Sequence, residues 1–379
     1  MIPYGKQNIS SQDIASVVNV LESRYLTQGP AVPEFEKAIC NYCNADYAVA
    51  VNSATSALHL ACLALGVGLG DCVWTSPISF VASANCARFC QATIDFVDVD
   101  PDSGLMCVKS LSEKLLQAEL NGTLPKVIIP VHYSGQSCDM ESIFELSKKY
   151  GFKIIEDASH ALGGSYLDEK VGCCRHSDIS VFSFHPVKML TTGEGGAVLC
   201  NSQELYEKVK RLRSHGIDKT INDEPWGYEQ LELGYNYRMS DMAATLGISQ
   251  LSRLNLFLKK RRTIATKYNE AINNSLIVPI TQGNKRKSSY HLYPVLTKDS
   301  KHRRSLYEFM HSRGVAVQVH YIPIYRQPYY KNMGLSSMEG SEAFYNRVIS
   351  LPVFYDLQSS ELNWIIQSVN EFKGGCSEQ

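Results

Sequence analysis

Apolar and polar positions change period repeatedly along the first half of the chain. Ile14, Val17, Val18 and Leu21 recur at helical spacing within Ser11 to Leu21, and Phe35, Ala38, Ile39 and Tyr42 do so within Glu34 to Cys43. Short apolar runs then alternate with helical stretches. Tyr47 to Val51 predicts a strand and Ser53 to Leu65 a helix, with Ala54, Ala57, Leu58, Ala61 and Leu65 on one face. Cys72 to Thr75, Thr93 to Val97, Val127 to Val131 and Lys153 to Glu156 predict further strands. Phe80 to Phe89, Leu111 to Leu120 and Met140 to Tyr150 predict the helices between them. Ile179 to Phe184 is another strand, and a last apolar run starts at Ala197. Alternation of this kind means an α/β fold, a mostly parallel sheet covered on both faces.

A second region follows Asn236-Tyr237-Arg238. It opens with a long helical run, Asp241 to Asn273. A strand (Tyr290 to Val295), a helix (Ser305 to Ser312), a strand (Val315 to His320) and helices near Glu342 to Ile349 and Ser360 to Phe372 come after it. With 379 residues and ~150 residues per domain, the expectation is a large domain over residues 1–250 and a smaller α/β domain over 251–379.

Charge and targeting exclude several classes. The net charge is −1, from 37 basic and 38 acidic residues, so nucleic acid is not expected as a partner. Lys259 to Arg262 and Lys301 to Arg304 read as solvated helix faces. MIPYGKQNIS has no charged segment leading into an apolar one, and Tyr47 to Leu65 is interrupted by Asn52, Ser53, Thr55, Ser56 and His59. No membrane association is expected. Twelve cysteines without a targeting segment point to reduced thiols and a cytoplasmic location. Cys40 and Cys43 form a CxxC inside a helical pattern, where packing is the expectation and a metal is not. Gly66-Val67-Gly68-Leu69-Gly70 follows a helix, so it reads as a helix stop and not as a dinucleotide site.

In such sheets ligands bind beyond the carboxyl ends of strands. That rule selects Asn52 to Thr55, Asp157, and Ser183 through Lys188. The last lies in ISVFSFHPVKMLTTGEGGAV, where Lys188 sits on a loop of small residues just past a buried strand. A shielded amine there suits a Schiff base with pyridoxal phosphate (PLP). Ser53, Ala54 and Thr55 open a helix whose free N–H groups suit a phosphate. Asp157 is placed to pair with a protonated pyridine nitrogen, while Glu156 points to the other face. Phe80 offers a surface to the ring, and Ser183 a hydroxyl to the phosphate. Each assignment alone is ordinary; their shared place on one sheet edge favours a PLP enzyme.

TQGPAVPEFE (Thr27 to Glu36), NSATSAL (Asn52 to Leu58), EDASHALG (Glu156 to Gly163), FSFHPVKMLTTGEGG (Phe182 to Gly196), RSHGI (Arg213 to Ile217) and GYNYRMSD (Gly234 to Asp241) extend the pattern. Over essentially its whole length the sequence resembles the DegT/DnrJ/EryC1/StrS sugar aminotransferases, of PLP-dependent transferase fold type I. The resemblance implies Lys188 as the Schiff-base lysine, Asp157 as the pyridinium partner and His160 near the ring oxygen. It implies phosphate contacts from Ser53 to Thr55 and Ser183, and from Asn236 of the neighbouring subunit, hence a homodimer with shared sites. It also implies L-glutamate as amino donor, 2-oxoglutarate as its product and pyridoxamine phosphate (PMP) as the aminated cofactor.

PISFVASAN (Pro77 to Asn85), HLYPVL (His291 to Leu296) and QVHYIPIY (Gln318 to Tyr325) narrow the resemblance to members acting on a UDP-linked 4-keto-6-deoxy-N-acetylhexose. Tyr4, Arg24, Tyr25, Leu26, Thr27, Ala54, Ser183, Asn236, Gln318, Val319, His320 and Tyr321 would then surround the sugar nucleotide. The alternatives are a perosamine- or bacillosamine-type 4-aminotransferase and a PLP-binding regulator without turnover. The 3-dehydratase branch of the family has histidine where Lys188 stands. His185 and His215 have no assigned role.

Overall fold

A computed structural model describes residues 1–218 and 224–374. Two helices come first, α1 (Ser11–Leu21) and α2 (Ala31–Cys43). Ser10 and Asp13 cap α1 reciprocally, each side chain accepting from the other's backbone N–H. Strand and helix then alternate: β1 (Tyr47–Val51), α3 (Ala54–Ala64), β2 (Cys72–Thr75), α4 (Ala82–Phe89), β3 (Thr93–Phe96) and α5 (Val108–Asn121). β4 (Val127–Ile129), α6 (Met140–Tyr150) and β5 (Lys153–Asp157) continue it, and β6 (Ile179–Ser183), β7 (Gly196–Cys200) and α7 (Gln203–Arg213) follow.

These seven strands form one sheet in the order β1-β7-β6-β5-β4-β2-β3. β7 runs antiparallel to β1 and β6, and every other pair is parallel. The two-residue period of a strand divides the core. Val49, Val51, Val181 and Val198 pack under α3 and α4, while Ala48, Ala50, Phe182 and Leu199 pack under α2. Gly196 is opposite Val51 on one side and Ser183 on the other. The loop carrying Lys188 therefore leaves and rejoins the sheet at the carboxyl ends of β1, β5 and β6.

The second region holds α8 (Asp241–Ser252), α9 (Leu254–Ala271), β8 (Ile277–Pro279), β9 (Tyr293–Thr297), α10 (Ser300–Ser312), α11 (Glu339–Tyr345), β10 (Val348–Leu351) and α12 (Ser359–Glu371). β9 lies between β8 and β10, antiparallel to both. Ile264, Tyr268, Val295, Leu306, Ile349 and Ile365 close a core there. Among the described residues no helix is long and apolar enough to cross a membrane.

Several expectations change. The second helix starts at Ala31 instead of Glu34, because Pro33 falls in the first turn, where its missing N–H has no partner to lose. The run Asp241 to Asn273 breaks at Arg253, whose side chain turns away to Asn8 and Asp13. The strand expected from Tyr290 begins at Tyr293, since Tyr290 takes a left-handed φ of 53°. Val315 to His320 makes only isolated bridges, Ile2 to Val315 and Gln318 to Ser350. Glu342 to Ile349 divides into the end of α11 and the start of β10, where Val348, Ile349 and Leu351 are all buried.

Candidate active site

A cavity of ≈ 500 Å³ opens at the carboxyl edge of the sheet, and Lys188 and Asp157 both line it. Ser53 caps α3 by accepting from Ser56 N–H at 3.1 Å. The first N–H groups of a helix have no partner inside it, which leaves those of Ala54 and Thr55 at the cavity wall. Gly196 lets β7 pass directly beneath this turn: a Cβ there would stand 2.6 Å from Ala54 N. The positive end of α3 therefore meets the strand edge with no side chain between them.

Asp157 ends β5 and is fixed by two donors. Ser83 Oγ, from α4, donates to its Oδ2 at 2.6 Å, and Ser159 N–H donates to Oδ1 at 3.2 Å. Glu156 faces the opposite side, where His132 Nε2 is 2.7 Å away and Ser177 Oγ donates to it. Lys188 is half-buried, and burial lowers its amine to about 8 against the upward pull of Asp157.

Three imidazoles share the cavity with that amine. His160, His291 and His320 are held well below the usual histidine range by burial first and by the charge of Lys188 second. His160 Nε2 is 3.1 Å from Tyr321 Oη, and its Nδ1 is buried without a partner. His320 Nδ1 is 2.9 Å from Ser350 Oγ. With these rings neutral, Lys188 is the cavity's principal positive charge among the described residues.

Ser53, Ala54, Thr55, Phe80, Asp157, His160, Ser183 and Lys188 all line this one cavity. Tyr4, His320 and Tyr321 do as well. Arg24, Tyr25, Leu26 and Thr27 do not; they are exposed on the loop after α1. Gln318 is exposed, its Oε1 accepting from Val319 N–H, and Val319 packs into the apolar core. Asn236 is exposed and off the cavity, on an extended segment bridged to Ser214. Tyr235 and Tyr237 on either side of it both pack against His59. His185 lines the cavity and His215 does not.

Ser83, Ser79, Ser159, Glu194 and His291 were not singled out by the sequence. Ser83 and His291 lie inside stretches that carry the narrower resemblance, but no periodicity links Ser83 to a carboxylate 74 positions away. Only the closed sheet brings them together.

The chain belongs to the DegT/DnrJ/EryC1/StrS aminotransferase family, whose model matches residues 7–370. It is 40% identical over 371 residues to the UDP-4-amino-4,6-dideoxy-N-acetyl-β-L-altrosamine transaminase of Campylobacter jejuni strain 81-176, covering 96% of each chain. Among solved structures it matches Helicobacter pylori PseC, an aminotransferase of pseudaminic acid biosynthesis, with a TM-score of 0.90 and 35% identity over 97% of this chain and 98% of that one. Spr1654 of Streptococcus pneumoniae, described as a putative sugar aminotransferase, matches in its PMP form with a TM-score of 0.90 and 29% identity over 98% of each chain. Its PLP form matches at 0.89 and 29% over 97% of each.

Proposed function

We propose that the protein is a PLP-dependent nucleotide-sugar aminotransferase. It moves the amino group of L-glutamate to the C4 ketone of a UDP-linked 4-keto-6-deoxy-N-acetylhexose, giving UDP-4-amino-4,6-dideoxy-N-acetyl-β-L-altrosamine. The observation that carries this reading is the convergence of Lys188, Asp157 and the amino end of α3 on one cavity, in a chain so similar to the Campylobacter transaminase.

The cavity fits PLP. Its wall has a helix end approached by glycine, a fixed carboxylate and a lysine whose amine lies near 8. Ser53, Ala54, Thr55 and Ser183 would hold the phosphate and Asp157 the ring nitrogen, with His160 beside the ring oxygen and Phe80 against the ring. When bound, PLP supplies an aldehyde for an amine and a ring that takes up the electron pair left on a donor carbon. Lys188 Nζ is unprotonated often enough near neutral pH to engage the aldehyde. The same nitrogen would carry a proton between the donor α-carbon and the acceptor carbon. Asp157, gripped by Ser83, would present its carboxylate to the ring nitrogen. The neutral histidines add no cation to compete with Lys188.

Tyr4, His320 and Tyr321 would face the sugar nucleotide. Asn236 is exposed, and Arg24 to Thr27 are exposed just after α1, which carries an uncovered apolar stripe made of Ile14, Val18 and Leu21. That stripe supports a homodimer in which these residues serve shared sites. The division into domains at 250 and a cytoplasmic location belong to the same proposal. A panel of UDP- and GDP-linked 4-keto sugars with L-glutamate, read by mass spectrometry, tests it. Amination of the UDP-linked N-acetyl sugar is expected; preference for a GDP sugar would replace the substrate with a perosamine-type one.

A further inference from the structure

Helix α9 carries a buried cation with no anion beside it among the described residues. Arg261 is 3% exposed, and its Nη1 donates to the carbonyl oxygens of Tyr290 and His291 at 3.1 Å each and of Val353 at 2.7 Å. Burial alone lowers the guanidinium, to about 10, with no carboxylate acting upward. It is charged at neutral pH all the same. An unanswered charge in such a place is expensive for a fold to keep.

Those carbonyls shape the approach to β9. Tyr290 is held at a φ of 53°, its N–H donating to Ser288 Oγ at 3.0 Å. The turn delivers His291 to the cavity wall. His291 is 4% exposed, its ring is 4.4 Å from that of His160, and its Nδ1 has no partner among the described residues. A residue that merely filled space there would need no ring nitrogens. Beyond Lys188, the charged side chains lining the cavity are Asp157 and Glu194, both acidic, and among the described residues of the same chain no arginine lines it.

An amino acid donor brings a carboxylate on the carbon that reacts. Lys188 has to stay available for proton transfer, so that carboxylate needs another donor within a positive potential. We propose that His291, backed by Arg261, is the subsite for the α-carboxylate of the amino donor. The neutral imidazole donates an N–H to a carboxylate oxygen, and Arg261 supplies the compensating charge from one layer behind. His291 is the contact, and Arg261 acts through it as a positioning residue. This inference rests on the aminotransferase reading above.

Glutarate, a dicarboxylate that cannot react, is the probe, titrated calorimetrically into the PLP-loaded protein, with uridine diphosphate as the control ligand. His291→Phe is expected to weaken glutarate about ten- to hundredfold, the loss of one hydrogen bond to a charged group. Uridine diphosphate should bind as before. His291→Gln, which keeps an N–H donor, should restore glutarate to within about threefold of the native protein. Arg261→Gln should weaken glutarate and spare uridine diphosphate; if it does not fold, the two His291 variants decide. Unchanged glutarate binding in His291→Phe would overturn the assignment, and so would an equal loss of both ligands. Calorimetry reads binding whether or not amino transfer follows, so failure of the activity reading is seen separately.

Discussion

Replacing Gly196 with alanine probes the joint between strand and helix on which the phosphate cradle depends. The new Cβ would stand 2.6 Å from both Ala54 N and Ser53 C, and 2.7 Å from Ser53 O. These are backbone atoms in the capped first turn of α3 and cannot swing aside as a side chain would. Ordinary contact begins at 3.4 Å, so β7 and α3 must separate by about 0.8 Å. Overpacking of this kind costs about 1–3 kcal/mol and a few degrees of Tm. A retreat of that size also stretches an N–H···O bond of about 2.9 Å beyond its useful range. Losing one such bond to a phosphate weakens PLP about tenfold or more. Titrating PLP into the cofactor-free variant, with a thermal melt alongside, measures both effects. A variant that melts lower yet binds PLP as tightly as the native chain would refute the helix end as the phosphate cradle. An unchanged melt would refute the packing argument itself.

Three further outcomes follow from the same geometry. Lys188→Arg should abolish turnover, because a guanidinium does not deprotonate; substantial transamination by that variant would exclude Lys188 as the proton carrier. In the cofactor-free protein the neutral fraction of Lys188 rises as pH climbs through about 8. PLP capture should therefore reach its half-maximal rate near that pH, and a midpoint at the ordinary lysine value would mean the amine is not desolvated. Finally, mixing Lys188→Arg with Asn236→Ala chains and refolding them together should leave about a quarter of the shared sites whole. Activity of the mixture above the mean of the two variants is the expected result, and activity equal to that mean would place Asn236 outside the neighbour's site.

The large domain was legible because each of its strands is a short apolar run between helical repeats. Tyr47 to Val51 and Cys72 to Thr75 have the expected bounds. The second region was harder, because side chains shape its backbone there. Tyr290 reads as strand by composition, yet Arg261 from another helix fixes it in a left-handed turn. Val348 to Leu351 fits a helical stripe as well as a strand, and its pairing with β9 decides the matter.

The site divides in the same way. Lys188, Asp157 and Ser53 sit at strand ends, where position in sequence implies position in space. Ser83 reaches the Asp157 carboxylate through helix packing and His291 reaches the cavity through a turn, neither of which a local pattern encodes. Arg24 to Thr27 and Asn236 are assigned to the site by the resemblance but are exposed and off the cavity in the single chain.

Amino transfer through Lys188-bound PLP is read most directly in an absorbance spectrum of the PLP-loaded protein, first with L-glutamate and then with the UDP-linked 4-keto sugar. The band of the lysine-bound cofactor should bleach with glutamate and return with the sugar, while 2-oxoglutarate and then the amino sugar accumulate. A band that withstands glutamate, or never forms after PLP is supplied, would contradict amino transfer through Lys188.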